Sequence, residues 1–384
     1  MEIDDFAASM YKLCDYKIDE PDYLLTGNLG KVLSLLNLAE YHKDEYYYDT
    51  AISHLNQVIK RIGDDQGVKF TNAISNGLGG LGFCLLFLQR SSFSDPSNKG
   101  SELLSWIADQ VYKQSKSQIA ESDFDTNYSA IGGINFLTKY HSNIYQDYDR
   151  LDNLADLLYS QINDFNFGRV LANKRYQEGG KYHIQLGIAH GVSGIVLSLL
   201  ALQKVVNNKK IDEMIRLSLE FLASFYKPYH QNEQCFLFPR SVTLEGKPHL
   251  QEKTTANIGW CSSDLSVAYT FLLAGKQLGQ ERIFQFGNEV LSDFLKFDPD
   301  LLPIVDINLC HGFAGFSLIF KSCADLTNRD DARMAAYSYR IKTIENLGRR
   351  SHDNFWFGKL GAYNVIINEI VGDKLGWNEL LFQN

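Results

Sequence analysis

The sequence predicts an all-α fold, an α/α toroid in which seven helical hairpins, about fourteen helices, form a double-layered ring within a single domain over residues 1–384. Two observations predict it. A short phrase with small residues at its first and fourth positions recurs seven times, each copy opening an apolar run. Amphipathic runs with helical spacing separate the copies, and a repeat near the length of one helical hairpin is the mark of a repeat architecture.

The phrases are, in chain order, GNLGKVLSLLNLAEY from Gly27, GLGGLGFCLLFL from Gly77, SAIGGINFLTKY from Ser129, GVSGIVLSLLALQKV from Gly191, SDLSVAYTFLLAGK from Ser263, GFAGFSLIFKSCA from Gly312 and GKLGAYNVIINEI from Gly358. Subtracting the starts gives spacings of 50, 52, 62, 72, 49 and 46 residues. The runs they open are apolar nearly all round, so they read as buried inner helices. Between them YYYDTAISHLNQVIKRIG, SELLSWIADQVYKQ, YDRLDNLADLLYSQI, IDEMIRLSLEFLASFY and ERIFQFGNEVLSDFLKF carry apolar residues near the 3.6 period with charges opposite, and read as outer helices. An open superhelix is the alternative. Open arrays carry polar capping repeats, and neither terminal copy resembles one. Glycine at each inner-helix start permits tight turns and close backbone approach around an axis.

With 37 basic against 46 acidic residues and no basic run, binding to nucleic acid or an anionic membrane surface is not expected, and a peptide or small molecule is the better partner. The amino terminus, MEIDDFAASMYKLC, is acidic and lacks the apolar run of a signal peptide, and no stretch is long enough to span a bilayer. A cytoplasmic location is expected. The six cysteines, Cys14, Cys84, Cys235, Cys261, Cys310 and Cys323, are scattered, unlike a disulfide framework, and read as reduced thiols.

In a ring, residues just ahead of each inner helix meet on one rim. Cys261 lies two before Ser263 and Cys310 two before Gly312; His311 lies one before Gly312 and His190 one before Gly191. Two Cys and one His make a three-ligand set suited to one zinc ion with an open fourth position. Adjacent residues diverge on a helix, so Cys310 and His311 can share a metal only at a helix entry. Cys14, Cys84, Cys235 and Cys323 are out of phase and read as structural. His183 and His352 lie outside the shared slots.

GWC followed 49 residues later by CHG, together with AHGVSG and the seven glycine phrases, resembles the lanthionine synthetase C-like proteins, the lantibiotic cyclases, from Gly27 to about Gly361. The resemblance implies a toroid with zinc on Cys261, Cys310 and His311, and working residues at His190 and at Asp125 in DFDTNYSAIGG. The implied reaction adds a peptide cysteine thiolate to dehydroalanine or dehydrobutyrine, forming a (methyl)lanthionine thioether. His190 suits the acid that protonates the resulting enolate, or the base that takes the thiol proton. Asp125 would orient that imidazole; capping its inner helix is the alternative. The partners implied are a dehydrated precursor peptide, a separate dehydratase and an exporter.

Three serines depart from the family pattern: Ser263 and Ser266 replace the glycines of Trp-Cys-x-Gly-x-x-Gly, and Ser129 replaces the glycine four after the aspartate. A slot requiring positive φ would strain them. Long connections at 164–189 and 228–256 lead into His190 and Cys261, and long loops in a compact repeat are often functional. Arg240 and Lys174 there are candidate peptide contacts, and Trp260 is expected on the site wall. A second reading is a zinc protein of the same superfamily that binds thiols such as glutathione in a regulatory role without forming rings. A prenyltransferase subunit, another zinc toroid, fits poorly because its metal set contains a carboxylate rather than paired cysteines.

Overall fold

A computed structural model describes residues 3–95, 102–178, 180–229, 236–249, 258–299, 302, 304–349 and 351–382. All seven phrases open helices: α2 (Asn28–His42), α4 (Leu78–Arg90), α6 (Ala130–Tyr140), α8 (Val192–Gln203), α10 (Asp264–Gln277), α12 (Phe313–Thr327) and α14 (Lys359–Val371). These form the inner wall. In α8 every residue from Val192 to Leu202 is buried, as an all-round apolar helix requires. The five amphipathic runs become α3 (Glu45–Lys60), α5 (Glu102–Ala120), α7 (Tyr148–Tyr159), α9 (Lys209–Ala223) and α11 (Glu281–Phe294), and α13 (Asp330–Asn346) is a further outer helix; each packs on the inner helix that precedes it.

The ring closes. Each inner helix touches the next, and α14 returns to α2. Among the described residues, the helix packed on the outside of α14 is the N-terminal α1 (Ile3–Tyr11), which makes the seventh hairpin from two distant parts of the chain. At this seam the buried Asn37 Nδ2 donates to Asn364 Oδ1 at 3.0 Å and to Asn368 Oδ1 at 2.9 Å, and Asn364 Nδ2 donates to Ser34 Oγ at 2.8 Å. A short terminal helix, α15 (Glu379–Phe382), turns back inside. Phe382 meets Tyr269 of α10, Trp377 meets Phe355 ahead of α14, and Glu379 pairs with Arg90 and Lys139 at the ends of α4 and α6. Contacts on so many sides place this tail across the interior of the ring. Among the described residues no helix is long and apolar enough to cross a membrane.

The residues capping the seven inner helices are Gly27, Gly77, Ser129, Gly191, Ser263, Gly312 and Gly358, with φ between −116° and −161°. None is left-handed, so the serines sit there without backbone strain. Ser263 and Ser266 use their hydroxyls in a reciprocal capping box, each accepting the other's backbone N–H at 3.1–3.2 Å.

The residue two before each cap carries the rim. Leu25 N donates to Ser75 O, Ser75 N to Asn127 O, Ala189 N to Cys261 O, Cys261 N to Cys310 O, Cys310 N to Trp356 O, and Trp356 N back to Leu25 O. At the remaining junction, between Asn127 and Ala189, the Asn127 amide turns to the Asp125 carboxylate at 2.8 Å.

The two long connections differ from the expected loops. The first carries β1 (Asn163–Phe165), β2 (Gly168–Val170), β3 (Gln177–Glu178) and β4 (Lys181–Gln185); the second carries β5 (Ser241–Thr243) and β6 (Pro248–His249). β4 pairs antiparallel with β5, His183 opposite Thr243, so both insertions join in one four-stranded sheet beside the rim. Residues 230–235, with Cys235, and 250–256 lie outside the described residues.

Candidate functional site

Cys261 and Cys310 face one another at the entries of α10 and α12. Their loops approach so closely that a Cβ at Gly187 would lie 2.3 Å from Cys261 O, and one at Gly259 2.4 Å from Cys310 O. Only glycine lets three successive rim loops stack at this separation. The two thiols influence one another's ionisation. The Cys310 thiol draws the Cys261 pKa below the usual thiol range, helped by the charges of His190 and Arg240 and against the opposing effect of burial, while Cys261 and burial push Cys310 up.

Both cysteines line a pocket of about 250 Å³ together with His311, His190, Arg240 and Phe357. Burial lowers the His311 pKa, only partly countered by Asp306, so its imidazole is held neutral as a metal ligand must be. Its backbone N–H donates to Asn308 Oδ1 at 2.9 Å, and its Nε2 lies 3.4 Å from Asn308 Nδ2. The donor types suit zinc: two soft thiols, one readily ionised, and a neutral imidazole. Among the described residues, however, no three such side chains stand close enough to form a ready-made metal group. The His311 imidazole is turned to the Asn308 side chain.

His190 and Asp125 meet at the junction the backbone leaves open. Asp125 is fully buried. Its Oδ1 accepts the amides of Asn127 and Tyr128 at 2.8 and 2.9 Å, and its Oδ2 accepts from His190 Nδ1 at 2.8 Å. Capping and orienting are therefore combined in one carboxylate, although the turn it caps precedes the helix and the helix cap itself is Ser129. The Ser129 hydroxyl accepts the Asp125 amide at 2.6 Å and so fixes the loop that presents the carboxylate.

Burial alone would raise the Asp125 pKa; the bond and charge of His190, the Tyr176 hydroxyl and the Asn127 amide outweigh it and hold the group below the usual carboxylate range. For His190, burial works downward and is outweighed by the bond and charge of Asp125, with the Cys261 charge adding, so the pKa lies above the usual imidazole value. Beside an ionised carboxylate, Nδ1 must carry the proton. Nε2 is the nitrogen left to act.

Sequence reasoning did not find Tyr176, whose hydroxyl lies 2.6 Å from Asp125 Oδ2 and 2.7 Å from His190 Nδ1. It comes from the first insertion, which has no counterpart in other repeats and so no phase to read. Asn173 ties that insertion down, accepting the Phe124 amide at 3.2 Å and donating to His190 O at 3.3 Å. Tyr128 was also missed. Its ring stacks on His190 at 6.0 Å and 11°, and the Arg175 guanidinium lies 5.5 Å from its centroid. Phase could have indicated Trp356, which stands two before Gly358 in the slot of the cysteines.

Trp260, expected on the pocket wall, packs behind it, edge-to-face with Trp356 at 4.9 Å; Phe357 forms the wall. Arg240 reaches the pocket, whereas Lys174 is exposed away from its lining. Cys14, Cys84 and Cys323 are buried, and burial pushes their thiols up, as structural cysteines require. His183 is buried in the small sheet, 3.5 Å from Ser241 Oγ.

The family model described as lanthionine synthetase C-like protein matches residues 19–364. Among solved structures, nisin cyclase superposes with a TM-score of 0.78 at 16% identity, covering 99% of this chain and 96% of that one. An unsaturated glucuronyl hydrolase from Streptococcus agalactiae gives 0.46 at 11% identity over 80% of this chain and 83% of that one. A cellobiose 2-epimerase from Bacillus thermoamylovorans gives 0.45 at 11% over 96% and 99%. No curated protein matches.

Proposed function

Because the chain belongs to the lanthionine synthetase C-like family, we propose that it closes thioether rings in a dehydrated precursor peptide, joining cysteine to dehydroalanine or dehydrobutyrine. The observation that carries this reading is the opening of the His190–Asp125 pair onto the same pocket as Cys261, Cys310 and His311. Those last three residues would hold a zinc ion, which when bound supplies the positive charge that favours ionisation of an incoming thiol.

The chain's own residues handle the proton. Asp125 keeps the His190 proton on Nδ1, which leaves the Nε2 lone pair to accept the proton of the substrate thiol. The sulfur then bonds to the β-carbon of the dehydro residue, and the double-bond electrons move to the α-carbon and its carbonyl as an enolate. His190, now an imidazolium steadied by Asp125, returns the proton from Nε2 to that α-carbon. Atoms and charge balance, and no oxidant or second substrate is required. Bond formation inside a pocket walled by Phe357 limits the water competing for the reactive carbon.

Supply of the dehydro residues falls to a separate dehydratase, and removal of the product to an exporter. The alternative of a thiol-binding protein that forms no rings drew on the serine replacements. The capping box of Ser263 and Ser266 and the bond of the Ser129 hydroxyl to the Asp125 amide accommodate them at the helix entries, which favours the cyclase. The test is free-thiol loss from a dehydrated precursor mixed with the purified chain. The reading expects thiols to disappear with the wild-type chain and persist with Cys310→Ala; unchanged ring formation in that variant would refute it.

A further inference from the structure

Beside the thiol pocket lies a second cavity of about 220 Å³ with mostly apolar walls, and the two share Gly187, Ser262 and Arg240. The side chains it presents are Leu186, Phe225, Tyr226, Phe236, Phe238 and Val267. Arg240 and Lys227 bring positive charge to its wall, and most polar side chains around it are already occupied. Asp264 accepts the amides of Leu237 and Phe238 at 2.8 and 2.9 Å, the Tyr226 hydroxyl donates to Asp293 at 2.8 Å, Ser224 Oγ donates to Phe221 O at 2.7 Å, and Ser263 is held in its capping box. The rest of the wall is mostly hydrocarbon and ring surface, with Phe238 and Tyr226 packed at 5.5 Å. A space of this size holds one large apolar side chain, and two of the three shared wall residues, Gly187 and Ser262, are small enough for a peptide backbone to cross.

We propose that this cavity is the subsite for an aliphatic or aromatic side chain flanking the reacting cysteine of the peptide substrate. The inference rests on the cyclase reading for the identity of the peptide, and it adds what that reading lacks, a basis for choosing which cysteine enters. An apolar neighbour gains the transfer of its side chain from water, about a ten- to hundredfold preference over glycine. A basic neighbour gains nothing there, because Arg240 and Lys227 make the charge in the wall positive and Asp264 is already held by the amides of Leu237 and Phe238.

The probes are two synthetic peptides, acetyl-Gly-Phe-Cys-Phe-Gly-amide and its counterpart with glycine at both flanks, titrated calorimetrically against the full chain. The wild type is expected to bind the phenylalanine peptide at least about tenfold more tightly. Val267→Trp, which fills the cavity from the inner helix, should reduce that ratio to within about threefold. Ser224→Phe, which fills it from the opposite wall, should do the same. Melting curves confirm that each variant is folded, and two independent walls guard against one variant failing. Equal affinity of both peptides for the wild type, or an undiminished ratio in a folded variant of either kind, would overturn the subsite. Binding needs no ring to form, so absence of ring formation alongside a preserved ratio would sink the cyclase reading and leave the subsite standing.

Discussion

Asp125 offers the sharpest separation of structure from chemistry, because its two oxygens do different work. Oδ1 holds the amides of Asn127 and Tyr128, and Oδ2 holds the His190 ring and the Tyr176 hydroxyl, four donors on a residue with no exposure. Asp125→Ala strands all of them; at about 1–3 kcal/mol for a buried group left unmatched, and with partial relaxation, it should cost about 3–5 kcal/mol of stability. Asp125→Asn behaves differently. Its carbonyl oxygen still receives the two amides, so stability should fall by only about 1–2 kcal/mol, but its NH₂ now faces His190 and donates to Nδ1. The imidazole proton is driven to Nε2, the nitrogen that must accept the thiol proton. Ring formation should fall by about a hundred- to ten-thousandfold. Urea denaturation gives the stabilities, free-thiol loss from a dehydrated peptide gives the rates, and ¹⁵N shifts of His190 give the tautomer. An Asn variant that keeps the Nδ1–H tautomer, or a rate within about threefold of the wild type, would refute the proton role drawn from this geometry.

Tyr176→Phe removes one of the two donors on Asp125 Oδ2, leaving the carboxylate charge more fully available to the imidazolium. The His190 pKa, already above its usual value, should rise further, and an NMR titration moving toward lower pH would contradict the assignment. Burial lowers the His141 pKa to about 4, opposed by Asp147 and Asp109 and assisted by Arg150, and neither ring nitrogen has a hydrogen-bond partner. The unfolded chain binds this proton near pH 6.5, so stability is full above that value and declines as the pH falls toward 4, by about 3 kcal/mol at most. His141→Phe should flatten that decline in urea titrations at pH 7 and pH 4; an unchanged difference would contradict it. Asn364→Ala deprives Asn37 and Ser34 of partners at the ring seam and should cost about 2–3 kcal/mol in the same assay.

The seven inner helices were legible because their requirement is local: a small residue at each cap and an apolar run after it. The phase of Cys261, Cys310, His190 and His311 was legible for the same reason, since equivalent slots in a closed repeat fall on one rim. The identity of the seventh outer helix was not, because α1 pairs with α14 across the full length of the chain and no periodicity links the two ends. The suspected strain at the serines dissolved once their φ values proved extended, a backbone property that residue type alone does not specify. Tyr176 was hidden by the opposite problem. It belongs to an insertion present in one repeat only, and that insertion is fixed by β4 pairing with β5, His183 opposite Thr243, two segments far apart in the chain.

Elemental analysis of the purified chain, wild type and the three variants Cys261→Ala, Cys310→Ala and His311→Ala, tests the central claim most directly. One zinc per chain in the wild type, lost or sharply reduced in each folded variant, is the expected result. A wild type prepared without chelator that holds no zinc, or zinc retained in full by all three variants, would contradict it.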